Sequence, residues 1–320
     1  TLTTNSVTSK IAFQDNSGFI VATNLGIYLN SSFLYPNGPA ANQFPNMVID
    51  KNSHLWSSSG KDVSGVGIYE FDGDEWKTYN SQLYPELSGN SFYSIFNSSD
   101  NSIYSGSWGL GFVKIKDNVI TRFHSSNTSM VATRNIPNNP DFIVITGFAE
   151  DSKNNIWILN LNAADTKSLY MLTPDSAWYS FRNPLEQHAG FSELDNLVID
   201  QYGTKWYTMG NEGSLGLFYF NEKGTYDDPS DDAYGYVTTS KGLSSNAIYS
   251  LAIDRRGDLW VGTSLGVNII SNLNAVLTST NPQLRITTSF SVRQQTINAL
   301  AVDPLNQKWL GTNQGLFLLS

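Results

Sequence analysis

The stretch LSSNAIYSLAIDRRGDLWVGTSLGVNIIS, residues 243–271, contains the pattern that the rest of the chain repeats. It predicts three short strands: an alternating run over 247–253, an apolar run over 259–263 and a third run over 267–270. Residues 254–258 form a polar turn in which Gly257 can adopt a positive φ at low cost. Such a meander leaves an apolar face and unpaired edges, so it requires neighbouring copies of itself.

Two columns of residues align when the copies are superposed. The first, on the second predicted strand, contains Ile20, Trp56, Tyr104, Trp157, Trp206, Trp260 and Trp309. The second, six positions earlier, contains Gln14, Asp50, Ser98, Asp151, Asp200, Asp254 and Asp303. Successive residues of the aromatic column are 36, 48, 53, 49, 54 and 49 positions apart, and blades of β-propellers have about 40–50 residues.

Both columns are interpreted as structural. A Trp on the second strand buries a large apolar area between neighbouring blades, and an Asp at this position closes its turn by accepting backbone N–H bonds. Neither column is therefore read as a set of catalytic residues.

The pattern predicts an all-β fold, a seven-bladed β-propeller of four-stranded antiparallel blades, as a single domain over residues 1–320. The blades are expected at about 7–35, 46–79, 91–123, 142–181, 194–238, 246–290 and 297–320. Because the last copy lacks a fourth strand, residues 1–4 are expected to pair with it and close the ring. The sequence starts inside a repeat and ends on a strand, so we expect a piece of a larger exported protein.

Composition argues against several kinds of partner. The net charge is −9, with 19 basic and 28 acidic residues and no basic stripe, which disfavours nucleic acid and anionic membrane surfaces. The absence of Cys excludes disulfides and thiolate metal sites. No apolar run approaches the roughly 20 residues that span a bilayer, so this segment is not expected to insert into a membrane.

The sequence contains little that indicates catalysis or a cofactor. His54, His124 and His188 lie in different blades, outside metal-ligand spacing, and no phosphate-binding glycine motif occurs. We therefore expect no metal, no cofactor and no enzymatic activity. The insert 226–236 holds four Asp, at 227, 228, 231 and 232, that could bind Ca²⁺ or form a solvated loop; both interpretations stay open.

Two sets of loops are expected to surround the mouth of the central channel. One set precedes the first strand of each blade, and the other follows the second strand. The candidate ligand-binding residues in them are Asn90, Phe92, Trp108, Phe191, Glu193, Asn211, Glu212, Asn246, Ser264 and Asn313. Amides and aromatic side chains suit neutral polar ligands, a carbohydrate or a peptide backbone. Alternatively, the Asn and Ser residues serve only the turns.

The most specific of these predictions concerns Trp108. Blade three has lost the regular Asp and Trp and carries SGSWGLGF instead, which places a large aromatic side chain where other blades have small polar residues. Flanking Gly106, Gly109 and Gly111 would let the backbone turn tightly. Trp108 is therefore predicted to be partly exposed at the channel mouth, unless it packs back onto blade two or four.

The motif D-x-x-G-x-L-W-V-G-T-x-x-G at 254–266 resembles the two-component regulator propeller repeat. The resemblance covers nearly the whole chain, most closely blades six and seven. It implies an extracytoplasmic propeller module, either in hybrid two-component sensors that respond to polysaccharide fragments or in PorZ-type surface components of type IX secretion. The tail 289–320 is more similar to the second group. The repeat motif supplies no catalytic residues.

The resemblance and the loop composition lead to one functional prediction. The chain is expected to recognise a glycan or protein partner outside the cytoplasm, in the periplasm or on the cell surface, alongside other domains of its parent protein. The alternative is a lyase-like or glycosidase-like enzyme with its site at the channel mouth. Streptogramin-lyase-like propellers, which have similar repeats, use a His on the channel face, and none of the three His falls in the predicted mouth loops.

Overall fold

The structure is a computed structural model. It describes residues 8–14, 18–23, 26–29, 32–34, 37–61, 64–186, 194–209, 214–289, 292 and 294–319. The strands are grouped below by the predicted blade into which they fall, and the blade numbers serve as names for these groups.

The described residues form short antiparallel strands that pair in chain order. Blade one contains β1 (Thr8–Gln14), β2 (Gly18–Thr23), β3 (Ile27–Leu29) and β4 (Ser32–Leu34), and blade two contains β5 (Met47–Ile49), β6 (Leu55–Ser58), β7 (Ile68–Phe71) and β8 (Trp76–Tyr79). Blade three contains β9 (Phe92–Asn97), β10 (Ile103–Gly109), β11 (Phe112–Lys116) and β12 (Val119–Phe123), and blade four contains β13 (Ile143–Glu150), β14 (Ile156–Asn160), β15 (Leu169–Leu172) and β16 (Trp178–Phe181).

The remaining groups follow the same order. Blade five contains β17 (Leu194–Ile199), β18 (Lys205–Met209), β19 (Leu217–Asn221) and β20 (Ala233–Val237), and blade six contains β21 (Ile248–Ile253), β22 (Leu259–Thr263), β23 (Gly266–Ser271) and β24 (Arg285–Thr288). Blade seven contains β25 (Ile297–Val302), β26 (Lys308–Thr312) and β27 (Gly315–Leu319). Helical structure in the described part is limited to α1 (Ala275–Thr278) and the 3₁₀ turns Pro85–Leu87 and Thr239–Lys241. None of these described helices could cross a membrane.

The predicted all-β fold is confirmed. The strands form six sheets, because β10 of blade three also pairs with β13 of blade four and so joins these two blades into one eight-stranded sheet. One detail differs from the prediction, because the predicted insert 226–236 ends within the outer strand β20. The described part of blade seven has three strands, in agreement with the expectation that the last copy lacks a fourth strand of its own. Residues 1–4, which are predicted to close the ring, lie outside the described residues.

The hydrophobic cores lie between successive blades, as expected for a propeller. The first strands of blades two to seven contact one another in chain order. Trp157 of blade four, for example, is fully buried in a cluster with Leu197 and Tyr207 of blade five. Trp260 of blade six packs in the same way against Ile297 and Leu310 of blade seven.

Each repeated Asp accepts hydrogen bonds from two kinds of donor within its own blade, the backbone N–H groups of its turn and the indole N–H of the repeated Trp. In blade six, Oδ1 of Asp254 accepts the backbone N–H groups of Arg256 and Asp258, at 2.9 and 3.1 Å. Its Oδ2 accepts the indole Nε1–H of Trp260, at 3.2 Å. The same indole bond, at 2.8–3.2 Å, joins Trp56 to Asp50, Trp157 to Asp151, Trp206 to Asp200 and Trp309 to Asp303. The predicted turn closure is confirmed, and the indole bond fixes the ring that fills the interface.

Blade three replaces this carboxylate with two side chains. The Oγ atom of Ser98 and the Oδ1 atom of Asp100 both accept the backbone N–H of Ser102, at 3.2 and 3.1 Å. Burial opposes ionisation of Asp100, but hydrogen bonds from Lys116 and Ser98 outweigh it and lower the pKa of this carboxyl. The turn is therefore closed even though the regular Asp is missing.

Close approach between neighbouring blades requires glycine on the second strand. Ser94 and Ser250, on the first strands of blades three and six, donate to the carbonyls of Ile145 and Ile297 of the next blade, each at 3.1 Å. A Cβ atom at Gly262 would lie 2.3 Å from Oγ of Ser250, and one at Gly106 would lie 2.4 Å from the carbonyl oxygen of Ile145. These glycines leave room for the bonds between blades.

Replacing Trp260 by alanine should lower the free energy of unfolding by about 3–5 kcal/mol, since a buried aromatic ring is lost. Trp260 is 5% exposed. Urea denaturation of the two proteins measures the difference. Tyr202→Ala is the control because Tyr202 is 44% exposed, and it should change stability by only about 0.5 kcal/mol. Equal effects of the two substitutions would contradict the structural role of the column.

Gly262→Ala should destabilise the protein by about 1–3 kcal/mol, because the added methyl group overpacks the contact between blades six and seven. Gly311→Ala tests the same position in blade seven, where the nearest atom to the new Cβ is the Cβ of Ala299 at 3.3 Å. This control should cost less. Chemical denaturation gives both values, and a cost at Gly311 equal to that at Gly262 would argue against a specific contact.

Candidate ligand-binding channel

A central channel of about 790 Å³ runs between the first strands of blades two to seven. This volume lies within the range of about 300–1,000 Å³ that is usual for small-molecule sites. All described lining residues come from these first strands, from the loop before β5 and from Thr208. The propeller arrangement therefore brings seven separate parts of the chain to one cavity.

Bulged pairing of the first strands places side chains into this channel. The register between the first and second strands shifts by one residue near the beginning of β9, β13, β17, β21 and β25. The residues five positions before the repeated Asp, or Ser98 in blade three, lie at these shifts and line the cavity: Tyr93, Thr146, Asp195, Tyr249 and Asn298. They are called the channel column below. Bulges commonly redirect a side chain in this way.

Aromatic and charged groups meet on one side of the channel. The Tyr93 hydroxyl donates to Oδ2 of Asp195 at 3.1 Å, which links blade three to blade five. The Trp108 ring packs edge-on against Tyr93 with ring centres 5.9 Å apart. Nζ of Lys61, from blade two, lies 4.8 Å from the Trp108 ring centre and 5.7 Å from that of Tyr93. Tyr93 and Asp195 line the cavity, and Tyr93 connects it to the Trp108 ring and the Lys61 ammonium behind it.

Another channel-column residue, Thr146, has a free polar group. Its side chain is 2% exposed, and its Oγ1 atom has no hydrogen-bond partner among the described residues. A buried hydroxyl without a partner costs free energy, which a bound polar molecule would recover.

Trp108 lies at the end of a strand, so its predicted loop position is wrong. Its backbone N–H donates to the carbonyl of Ser91 at 2.8 Å, and it pairs with Val144 of blade four. Gly109 and Gly111 have φ of +116° and +77°, a backbone conformation that favours glycine at both positions. The side chain is partly buried and packs towards blade four, as in the alternative placement, and its ring also contacts Tyr93.

Three of the predicted ligand-binding residues are not among the described residues that line the channel. Phe92 is 1% exposed and lies in the core between blades two and three. The bulge in β9 follows Phe92 and directs the next side chain, that of Tyr93, into the channel instead. Asn90 and Asn246 use their Oδ1 atoms to accept the loop amides of Ser81 and Thr239, at 2.7 and 2.8 Å. For these two residues, the observed contacts agree with the alternative that the Asn side chains serve only the turns.

Two further predicted residues form hydrogen bonds with polar side chains, one of which lines the channel. Asn313 accepts a hydrogen bond at 2.7 Å from Nδ2 of Asn298, a residue of the channel column. Ser264 bonds to Ser245 at 2.8 Å. The other four candidates, Phe191, Glu193, Asn211 and Glu212, lie outside the described residues.

The channel column was missed by the sequence prediction, although a signal for it exists. When the repeats are aligned on the Asp, the position five residues earlier contains tyrosine, threonine, aspartate or asparagine in blades three to seven. Each of these polar or aromatic residues lies in the first half of a strand that is otherwise mostly apolar. Such a column would have indicated a shared, inward-facing position.

The described residues contain no group of three side chains arranged to hold a metal ion, and the lining residues described include no His. His54 pairs with Glu70 at 2.9 Å outside the channel. Burial raises the pKa of Glu186 to about 7 and that of Asp232 to about 6, but neither carboxyl lines the channel.

The repeat pattern matches a known family. Residues 242–264 match the sequence model of the Two component regulator propeller family. The chain carries a two-component regulator propeller repeat. The resemblance stated from the sequence is thereby confirmed. A comparison with curated proteins found no significant match.

Solved structures with the same fold include both kinds of parent protein. PorZ, an essential surface component of the type IX secretion system of Porphyromonas gingivalis, is 25% identical with a TM-score of 0.77, over 97% of this propeller chain and 46% of PorZ. The extracellular domain of the hybrid two-component system BT4673 of B. thetaiotaomicron is 18% identical with a TM-score of 0.57, over 98% of this chain and 38% of that chain. The chain thus spans less than half of either relative.

A third similar structure is an enzyme. A catalytically inactive virginiamycin B lyase of Staphylococcus aureus, solved with quinupristin, is 10% identical with a TM-score of 0.59, over 98% of this chain and 94% of the lyase. At this level of identity the likeness shows the propeller fold alone.

Proposed function

We propose that this propeller is a non-catalytic module that recognises a glycan or protein partner in its central channel. The observation that carries the proposal is the convergence of the channel column on one cavity of about 790 Å³, with the Trp108 ring packed against Tyr93 of this column. Tyrosine hydroxyls, amides and an aromatic platform supply hydrogen bonds and stacking for a neutral polar ligand. This chemistry favours a neutral oligosaccharide over a strongly charged ligand.

The proposal places the module outside the cytoplasm, in the periplasm or on the cell surface, within a larger parent protein. PorZ is a surface component and the BT4673 domain is extracellular, which supports this placement. Both a sensor and a secretion-associated parent are compatible with the repeat.

We also propose a closed ring of seven blades, with residues 1–4 as the missing strand of blade seven. The exposed apolar side chains of β27, Leu316 at 67% and Leu318 at 46%, support the need for a covering strand.

An enzyme with its site at the channel mouth is the competing function, and the fold likeness to virginiamycin B lyase motivates it. Two observations favour binding over catalysis. No His occurs among the described channel-lining residues, and the carboxyls whose pKa burial raises towards neutrality, Glu186 and Asp232, lie elsewhere. Incubation of the protein with glycans that it binds, followed by chromatography, should recover them unchanged.

Trp108→Ala and Tyr93→Phe should each weaken binding of neutral oligosaccharides by about tenfold or more. The first removes the aromatic platform, and the second removes the hydroxyl that orients Asp195, a charge-assisted bond typically worth about 1.5–3 kcal/mol. A glycan array identifies the ligand and calorimetry measures the affinity. Tyr202→Phe, an exposed position outside the channel lining, is the matched control.

Equal affinity of wild type, Trp108→Ala and Tyr93→Phe would contradict a channel site. If no glycan binds, a pull-down with the wild type and Tyr93→Phe distinguishes a protein partner at the same channel, since capture should then depend on Tyr93. Unchanged melting temperatures for Tyr93→Phe would show that its fold is intact.

Deletion of residues 1–4 should lower the melting temperature, because the unpaired edge and exposed leucines of β27 would then remain uncovered. Calorimetry of the full and shortened chains measures the shift. Substituting residues 1–4 by glycine, which keeps the backbone donors and acceptors, should have a smaller effect than deletion. An unchanged melting curve after deletion would contradict ring closure by this segment.

A further inference from the structure

A second cavity, of about 450 Å³, lies at the outer rim between blades four and five. Blade four contributes Phe181, Arg182 and Lys167 to it, and blade five contributes Asp227, Asp228 and Asp232 from the insert that precedes β20. This cavity is called the rim groove. It shares no described lining residue with the channel.

Aromatic packing fixes the insert against blade four. The Tyr226 ring lies 4.9 Å from that of Tyr179 and 6.5 Å from that of Phe181, measured between ring centres. Nζ of Lys153 donates to the Tyr226 hydroxyl at 3.2 Å. The groove is therefore bordered by an ordered segment with an apolar, aromatic side formed by Phe181 and Tyr226.

The charges of the rim groove are separated by blade. Both cations come from blade four and all three carboxylates come from blade five. No ion pair joins Lys167 or Arg182 to these carboxylates within the described residues, and the Lys167 ammonium instead donates to the Ser180 hydroxyl at 3.1 Å.

Asp232 is the carboxylate best placed to receive a ligand. Its side chain is half-buried and accepts no hydrogen bond from a described residue, whereas Asp228 caps the backbone N–H of Ser230 at 3.0 Å. Burial, with a further contribution from the neighbouring Asp231, raises the pKa of Asp232 to about 6. A bound ammonium group would relieve this repulsion.

We propose that the rim groove binds a small zwitterion, an amino acid or short peptide with free ends. Its ammonium group would be held by Asp232 and the neighbouring carboxylates, and its carboxylate by Arg182 and Lys167, as charge-assisted hydrogen bonds. An apolar or aromatic side chain of the ligand would contact Phe181 and Tyr226. A ligand with both charges satisfies both sides of the groove, whereas a metal ion would satisfy only the carboxylates.

The dipeptide glycyl-tyrosine is the probe, measured by calorimetry at pH 7 with the full chain. N-acetyl-glycyl-tyrosine and glycyl-tyrosinamide, which each lack one charged end, should bind about tenfold more weakly or not at all. Arg182→Gln and Asp232→Asn should each weaken binding of glycyl-tyrosine by a similar factor. Both substitutions nearly preserve side-chain volume and remove no hydrogen bond described above.

The controls separate this site from the channel and from general charge effects. Arg285→Gln and Asp117→Asn make the same charge changes at exposed positions outside the groove and should leave the affinity unchanged. Tyr93→Phe should also leave it unchanged, so failure of the channel proposal would not affect this one. No binding of glycyl-tyrosine, equal binding of the blocked peptides, or loss of binding only in Tyr93→Phe would overturn the inference. Calcium binding that depends on Asp232 but not on Arg182, without peptide binding, would likewise overturn it.

Discussion

The indole-to-carboxylate bond between the repeated Trp and Asp is the interaction on which the rest of the fold depends. It ties the second strand of a blade to the turn that precedes it, and it holds the ring in the orientation that fills the next interface. Because the carboxylate also accepts two backbone N–H groups, one side chain fixes a turn and a core residue together. Repetition of this unit makes the stability of each blade depend on its neighbour.

Neighbouring blades add polar contacts to this packing. Lys308 of blade seven lies 5.0 Å from the Trp260 ring centre and bonds to Asp254 of blade six at 3.0 Å. Lys205 of blade five lies 3.6 Å from the Trp157 ring centre of blade four and pairs with Glu222. Each lysine is buried, and its charge is compensated by a carboxylate. These contacts explain why charged residues occur in an otherwise apolar interface.

The channel column lies near the beginning of the first strand in blades three to seven, and the repeated Asp, or Ser98 in blade three, follows the end of the same strand. The Asp turn closes the end of each first strand, while the bulge at its beginning directs one residue into the cavity. The scaffold can therefore keep its Asp and Trp while the residue five positions earlier varies among tyrosine, threonine, aspartate and asparagine. Such separation lets a repeat fold acquire a binding site without loss of packing.

The sequence by itself determined the all-β repeat, the strand positions and the role of Asp and Trp, because these depend on local periodicity and on turn chemistry that recurs in five of the seven copies. Only the tertiary structure decided which side chains meet. Tyr93 and Asp195 are 102 residues apart, and their bond depends on bulges that add a residue to one strand only. For the same reason Phe92 is buried and its neighbour Tyr93 faces the channel, a difference of one residue in register that strand alternation alone could not assign.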